Sequence, residues 1–293
     1  MGIEQPVIEQ EERVRATRGT LMTRAWARRA RWAGTAVLAA MSLALPVTPA
    51  QAVSGGSAVP STNHSFSYTV AVLLPVRKCT GALIDTQHVV TTATCVKGLQ
   101  PSEVKVRAGS HKYNEGGITK EVTGLNLHPE FNSANYDNDI AVLTLESPLT
   151  SEEISTYSIK TLALAAADSS IQTNDYGTVT GFGATDANLT MPDVLRRAYL
   201  KHYGTRLCQQ YKRNRLTDRM FCAGDPTGVK DLCPGDQGAP LVDPVEGKLL
   251  GIYSWGASCG LAAIPPASPS SPVFTRISSV TAWINTVTTS KNS

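Results

Sequence analysis

The chain has 293 residues, with 27 Lys+Arg against 24 Asp+Glu and a formal net charge of +3. That length, with 42% hydrophobic residues, suits one compact unit with a substantial core. The small basic excess gives no ground for a nucleic-acid or anionic-membrane partner.

The amino end reads as a leader. Residues 13–31 carry seven arginines, ending Arg28-Arg29-Ala30-Arg31. An apolar run at 32–47 follows, then the small-residue segment Thr48-Pro49-Ala50-Gln51-Ala52. This order of basic, apolar and small residues is that of a bacterial-type secretory signal. The apolar run falls short of the ~20 residues that a spanning helix needs. Residues 1–52 are therefore expected to be a signal peptide, and the chain to be secreted without a stable membrane anchor. Met22 is an alternative start, and Arg28-Arg29 leaves the twin-arginine export route open. Cleavage after Ala52 leaves 241 residues with 20 Lys+Arg (27 less the 7 in the leader) and 20 Asp+Glu (24 less 4), formally neutral.

Short alternating or apolar runs then recur at 69–74, 81–84, 88–92, 104–108, 140–146, 177–181, 249–254 and 272–277. Turn residues separate them. Many short strands at such spacing predict a β-barrel or β-sandwich. One helix is expected, at 280–288. The proline- and serine-rich stretch 262–272 reads as an exposed loop. All six cysteines follow the leader, and an even count in an exported chain predicts disulfides, with 15 pairings open. No Cys-x-x-Cys pair is present, which argues against zinc, and no metal or cofactor is expected.

The chemistry-bearing segments come in a fixed order. Cys79-Thr80-Gly81-Ala82-Leu83-Ile84 precedes Val89-Val90-Thr91-Thr92-Ala93-Thr94-Cys95. Asn138-Asp139-Ile140-Ala141-Val142-Leu143 follows, then Gly235-Asp236-Gln237-Gly238-Ala239-Pro240. Ser254-Trp255-Gly256 with Cys259, Val273-Phe274-Thr275-Arg276-Ile277 and Ala282-Trp283-Ile284 close the series. Together, from Val53 to about 288, these segments resemble the trypsin/chymotrypsin family of serine peptidases. The resemblance implies an all-β fold of two antiparallel six-stranded barrels with the cleft between them and a C-terminal helix. It places the first barrel at about 53–150, the crossing segment at about 146–171 and the second barrel with the helix at about 172–293. It implies the disulfides Cys79–Cys95, Cys208–Cys222 and Cys233–Cys259.

The resemblance also shows what is missing. Gln237 stands where the attacking serine belongs, and a glutamine amide offers no comparable nucleophile. Thr94 stands where the general-base histidine belongs, and its hydroxyl has no basicity at neutral pH. Asp139 remains, as do the backbone donors expected of Gly235 and Gln237 for an oxyanion. His88 is expected to be a packed strand residue, and His64, His111, His128 and His202 fall outside these segments. The orphaned Asp139 needs donors, and Thr94, Ser254 and Gln237 are expected to supply them in one inert network. Asp231 matches the floor of a pocket for Lys or Arg side chains; Ser254, Trp255 and Gly256 match the segment lining the substrate cleft, with Gly256 on the pocket wall, and Pro272 stands where the other wall has glycine. A chain beginning Val53-Ser54-Gly55-Gly56 matches active members, whose terminal ammonium pairs with the aspartate at position Asp236. The expectation is a secreted, monomeric pseudopeptidase that holds an extended peptide, a protein or a peptidase inhibitor in its cleft. The alternative is a weakly active endopeptidase with preference for basic residues.

Overall fold

A computed structural model describes residues 53–290 apart from 168, 173–174, 213–214, 258 and 260–270. The leader expected at 1–52 and most of the loop at 262–272 lie outside the described residues. A two-residue strand, β1 (Ser57–Ala58), opens the order. Then come β2 (Thr69–Leu73), β3 (Lys78–Leu83), β4 (His88–Thr91), β5 (Lys105–Ala108), β6 (Ile118–Leu127) and β7 (Ala141–Leu145). These six close an antiparallel barrel in the order β2-β3-β4-β7-β6-β5. A short helix, α1 (Ala93–Val96), follows β4; α2 (Ser151–Thr156) and β8 (Ala163–Leu164) follow β7.

The second barrel is built from β9 (Tyr176–Gly181), β10 (Arg196–Tyr203), β11 (Met220–Gly224), β12 (Pro240–Val242), β13 (Lys248–Trp255) and β14 (Val273–Arg276). It runs β10-β11-β14-β13-β12-β9, and β9 pairs with β10 to close the ring. β1 adds to β10, and β8 adds in parallel to β13. Helix α3 (Thr205–Tyr211) lies between β10 and β11, and α4 (Thr281–Thr289) ends the described chain.

Two strands show why these residues sit where they do. β7 is buried along its whole length because its two faces serve two cores. Ala141, Leu143 and Leu145 fill the first barrel, while Ile140 and Val142 join Leu249, Ile252 and Ile284 in a cluster shared with the second barrel and α4. β4 does the same, with Val89 in the first core and Val90 in the second. Side chains alternate along a strand, so a strand buried on both faces reads as a continuous apolar run. The residues just beyond these strands, Asp139 before β7 and Thr94 after β4, are thereby fixed at the seam between barrels.

The sequence reading predicted eight of the fourteen strands found among the described residues. The longer ones it lacked hide their alternation behind charge. Lys120 of β6 is buried, and its Nζ meets Glu153 Oε1 of α2 at 2.9 Å. Arg196 of β10 is buried, and its Nη2 donates to the Gly56 carbonyl at 2.7 Å. The three disulfides Cys79–Cys95, Cys208–Cys222 and Cys233–Cys259 are formed, leaving no free cysteine among the described residues.

Candidate functional site

A groove of about 460 Å³ opens between the barrels. Thr94, Tyr136, Gly235, Gln237, Ser254 and Trp255 are among its lining residues, and no histidine is. The five histidines sit elsewhere. His88 on β4 meets Asp85 Oδ2 at 2.8 Å through Nδ1, and the His128 ring lies tilted against Trp283, 4.7 Å between centroids. His202 Nδ1 lies 2.8 Å from the Gln172 carbonyl, while His64 and His111 line a different cavity.

Asp139 is fully buried at the seam, one residue after Asn138, which takes a left-handed φ of 51° that asparagine tolerates. Its Oδ1 accepts from Thr94 N at 2.8 Å and from Thr94 Oγ1 at 2.9 Å. Its Oδ2 accepts from Ser254 Oγ at 2.5 Å. Burial raises the carboxyl above its ordinary range, and the bonds from Ser254 and Thr94 pull against that rise. Thr94 thus places its own hydroxyl on the oxygen that an orienting carboxylate would offer to an imidazole.

The loop carrying Gln237 is pinned to the first barrel through Thr80 of β3. Thr80 N donates to the Gln237 carbonyl at 2.9 Å, and Thr80 Oγ1 donates to the Gly235 carbonyl at 2.9 Å. The loop needs glycine at 238, where φ is +85° and a Cβ would lie 2.0 Å from the Thr80 carbonyl oxygen. Asp236 is fully buried beneath it, accepting from Gly183 N at 2.7 Å and Cys233 N at 3.0 Å. Burial pushes this carboxyl up to about 7, against those backbone donors and the nearby Lys78 charge.

Two expectations about this loop are corrected. Gln237 takes no part in the hydrogen bonds that satisfy Asp139. Its Oε1 turns back and accepts from Gly235 N at 2.9 Å, so the Gly235 donor expected to serve an oxyanion is already engaged. The reason is geometric. The Gly235 N–H points at the spot that a side chain at 237 can reach, and glutamine carries a carbonyl there.

The pocket behind the loop also differs from expectation. Asp231 is buried; its Oδ1 accepts from Leu232 N at 2.8 Å and its N–H donates to the Ser54 carbonyl at 2.9 Å. Pro272 is buried, its carbonyl accepting from Ala223 N at 3.1 Å, and it does not line the groove. Lys212, just past α3, approaches instead. Its Nζ donates to the Gly256 carbonyl at 2.8 Å and feels the Asp231 charge. The Gly256 carbonyl is therefore partly occupied, although a carbonyl oxygen keeps a second lone pair.

Sequence reasoning missed four cations here. Arg77 Nη2 donates to the carbonyls of Thr94 at 2.8 Å and Cys95 at 3.1 Å. Lys78 lies over the Tyr113 ring, 3.2 Å from its centroid, and burial pushes its ammonium down to about 8. Arg215 and Lys212 flank the Trp255 ring, which stacks on Tyr136. The adjacency of Arg77 and Lys78 to Cys79 was the one available signal.

Comparison with known proteins places this arrangement. Residues 53–284 match the family described as Trypsin. The chain is 33% identical over 252 residues to a vitellin-degrading protease of Bombyx mori, covering 85% of this chain and 89% of that one. It is 34% identical over 211 residues to a trypsin of Saccharopolyspora erythraea, covering 71% and 88%. The crystal structure of the scabies mite inactivated protease paralogue S-D1 superposes with a TM-score of 0.69 at 23% identity, covering 82% of this chain and 98% of that one.

Proposed function

The chain belongs to the trypsin family of serine peptidases, and from that premise we propose that it is a secreted, non-catalytic member that holds an extended peptide segment in its groove. One observation carries the reading. Thr94 and Gln237 do not merely lack the chemistry of histidine and serine; each spends its hydrogen bonds on the groups that catalysis would need, Asp139 and Gly235 N–H. Acyl transfer requires a nucleophile, a base, an orienting carboxylate and oxyanion donors together. Asp139 alone is left, and its oxygens are engaged. That the same fold is carried by a mite protein described as inactivated is compatible with this reading.

Secretion rests on the leader at 1–52, the three disulfides, which suit an oxidising compartment, and relatives that are proteases of this type. Removal of the leader after Ala52 would give Val53 a free ammonium. Val53 is buried in the same apolar cluster as Leu232 and Ala239, which bracket Asp236. A salt bridge between that ammonium and the Asp236 carboxylate would keep both charges compensated in the interior.

The test is enzymatic. The purified secreted chain is given fluorogenic arginine- and leucine-peptide amides and a serine-directed fluorophosphonate probe. The expected result is no covalent labelling and no turnover above that of a Gln237→Ala control. Turnover that disappears on replacing Gln237 or Thr94 would overturn the proposal.

A further inference from the structure

We infer that the groove is charge-inverted relative to a site for lysine and arginine side chains, and that its peptide partner is acidic. This deepens the proposed binding function and rests on it.

The groove is bordered by Arg77 and Lys78, and no aspartate or glutamate is among its lining residues. Asp139, at the seam behind it, spends both oxygens on Thr94 and Ser254. Asp231, the carboxylate expected to receive a cation from outside, already has a lysine of this chain in its field, Lys212. Lys212 is held there by its bond to the Gly256 carbonyl. Its ammonium adds positive charge on the Gly256 side of the groove. Burial lowers the Lys212 ammonium, and the Asp231 charge works against that lowering.

The far end of the groove adds to this. Arg215 lies 4.8 Å from the centroid of the Trp255 ring and Lys212 lies 5.8 Å from it. Among the described residues, none of Arg77, Lys78, Lys212 and Arg215 forms an ion pair with a carboxylate. Four cations thus flank the groove, two at the Thr94 end and two around Trp255. Lys78 Nζ is buried with no hydrogen-bond partner, a donor left over for a ligand oxygen. A chain segment lying across this groove with carboxylates spaced along it would supply what these groups lack. The partner chemistry is therefore an extended peptide bearing aspartate or glutamate.

The experiment uses the full secreted chain and three end-capped fluorescent peptides, identical except for three central positions carrying Glu, Gln or Lys. Fluorescence anisotropy reads affinity at low salt and at about 1 M, where the Debye length is about 3 Å. The expected order is Glu, Gln, Lys, with at least about tenfold between Glu and Gln at low salt, shrinking at high salt. Replacing the two outer cations together, Arg77→Gln with Arg215→Gln, brings the Glu-to-Gln ratio to about one. Glu and Gln peptides binding equally, or the Lys peptide binding best, would overturn this inference while leaving the binding function standing. No binding by any peptide would overturn both.

Discussion

Asp139 and Asp236 are both fully buried carboxylates beside one groove, and both are raised by burial. Their partners differ in kind. Asp139 draws hydroxyl and backbone donors from Thr94 and Ser254, which lie on the walls around it. Among the described residues, Asp236 is met by two backbone N–H groups and no side-chain donor, and the Lys78 charge favours its ionised form. One corner is complete within the chain. At the other, no ion pair is formed among the described residues. The difference teaches that a change at one corner need not relax its neighbour, because the two are held by separate donors.

The largest expected effect breaks the first corner open. Thr94→His with Gln237→Ser gives Asp139 an imidazole to orient and releases Gly235 N–H. Hydrolysis of a leucine-peptide amide should rise by at least about 10³-fold over the parent, with neither single replacement approaching that, since such residues act as a unit. A double variant no faster than the singles would mean that Asp139 is no longer placed to orient a base.

Next in size is the cost of emptying that corner. Asp139→Ala strands the Thr94 and Ser254 donors and should cost about 3 kcal/mol in urea unfolding, against about 1 kcal/mol for Asp139→Asn, which keeps an acceptor. Equal losses from the two replacements would show that packing, not hydrogen bonding, dominates there.

The second corner is sharpened by pH. The Asp236 carboxyl is raised from 3.8 to about 7, so the folded state binds its proton more tightly than the unfolded state does. The resulting stability is fully present below about 3.8 and is lost as pH rises through about 7. A chain retaining residues ahead of Val53 should therefore show a Tm that falls across that window. A chain beginning at Val53 offers an ammonium, keeps the carboxylate charged and flattens the fall. Superimposable Tm profiles would remove the pairing.

The smallest effect separates the loop from both corners. Gln237→Ala removes only the acceptor of Gly235 N–H, at about 1 kcal/mol. A larger loss would mean that the amide also holds the loop itself.

Much of the fold was legible in the sequence, and for physical reasons. Strands such as β4 and β7 are apolar on both faces because they divide two cores, and that pattern survives in one dimension. β6 and β10 were not legible, since Lys120 and Arg196 look like surface charges until Glu153 and the Gly56 carbonyl are brought to them. The site divides in the same way. Sequence alone determined which side chains, Thr94 and Gln237, stand in the segments where the resemblance expects a base and a nucleophile. Only the tertiary structure decided the contacts made: Thr94 bonded to Asp139, Gln237 folded onto Gly235, and Lys212 set in the field of Asp231. Each of these joins groups whose meeting depends on side-chain reach and burial, and neither quantity is written in the order of residues.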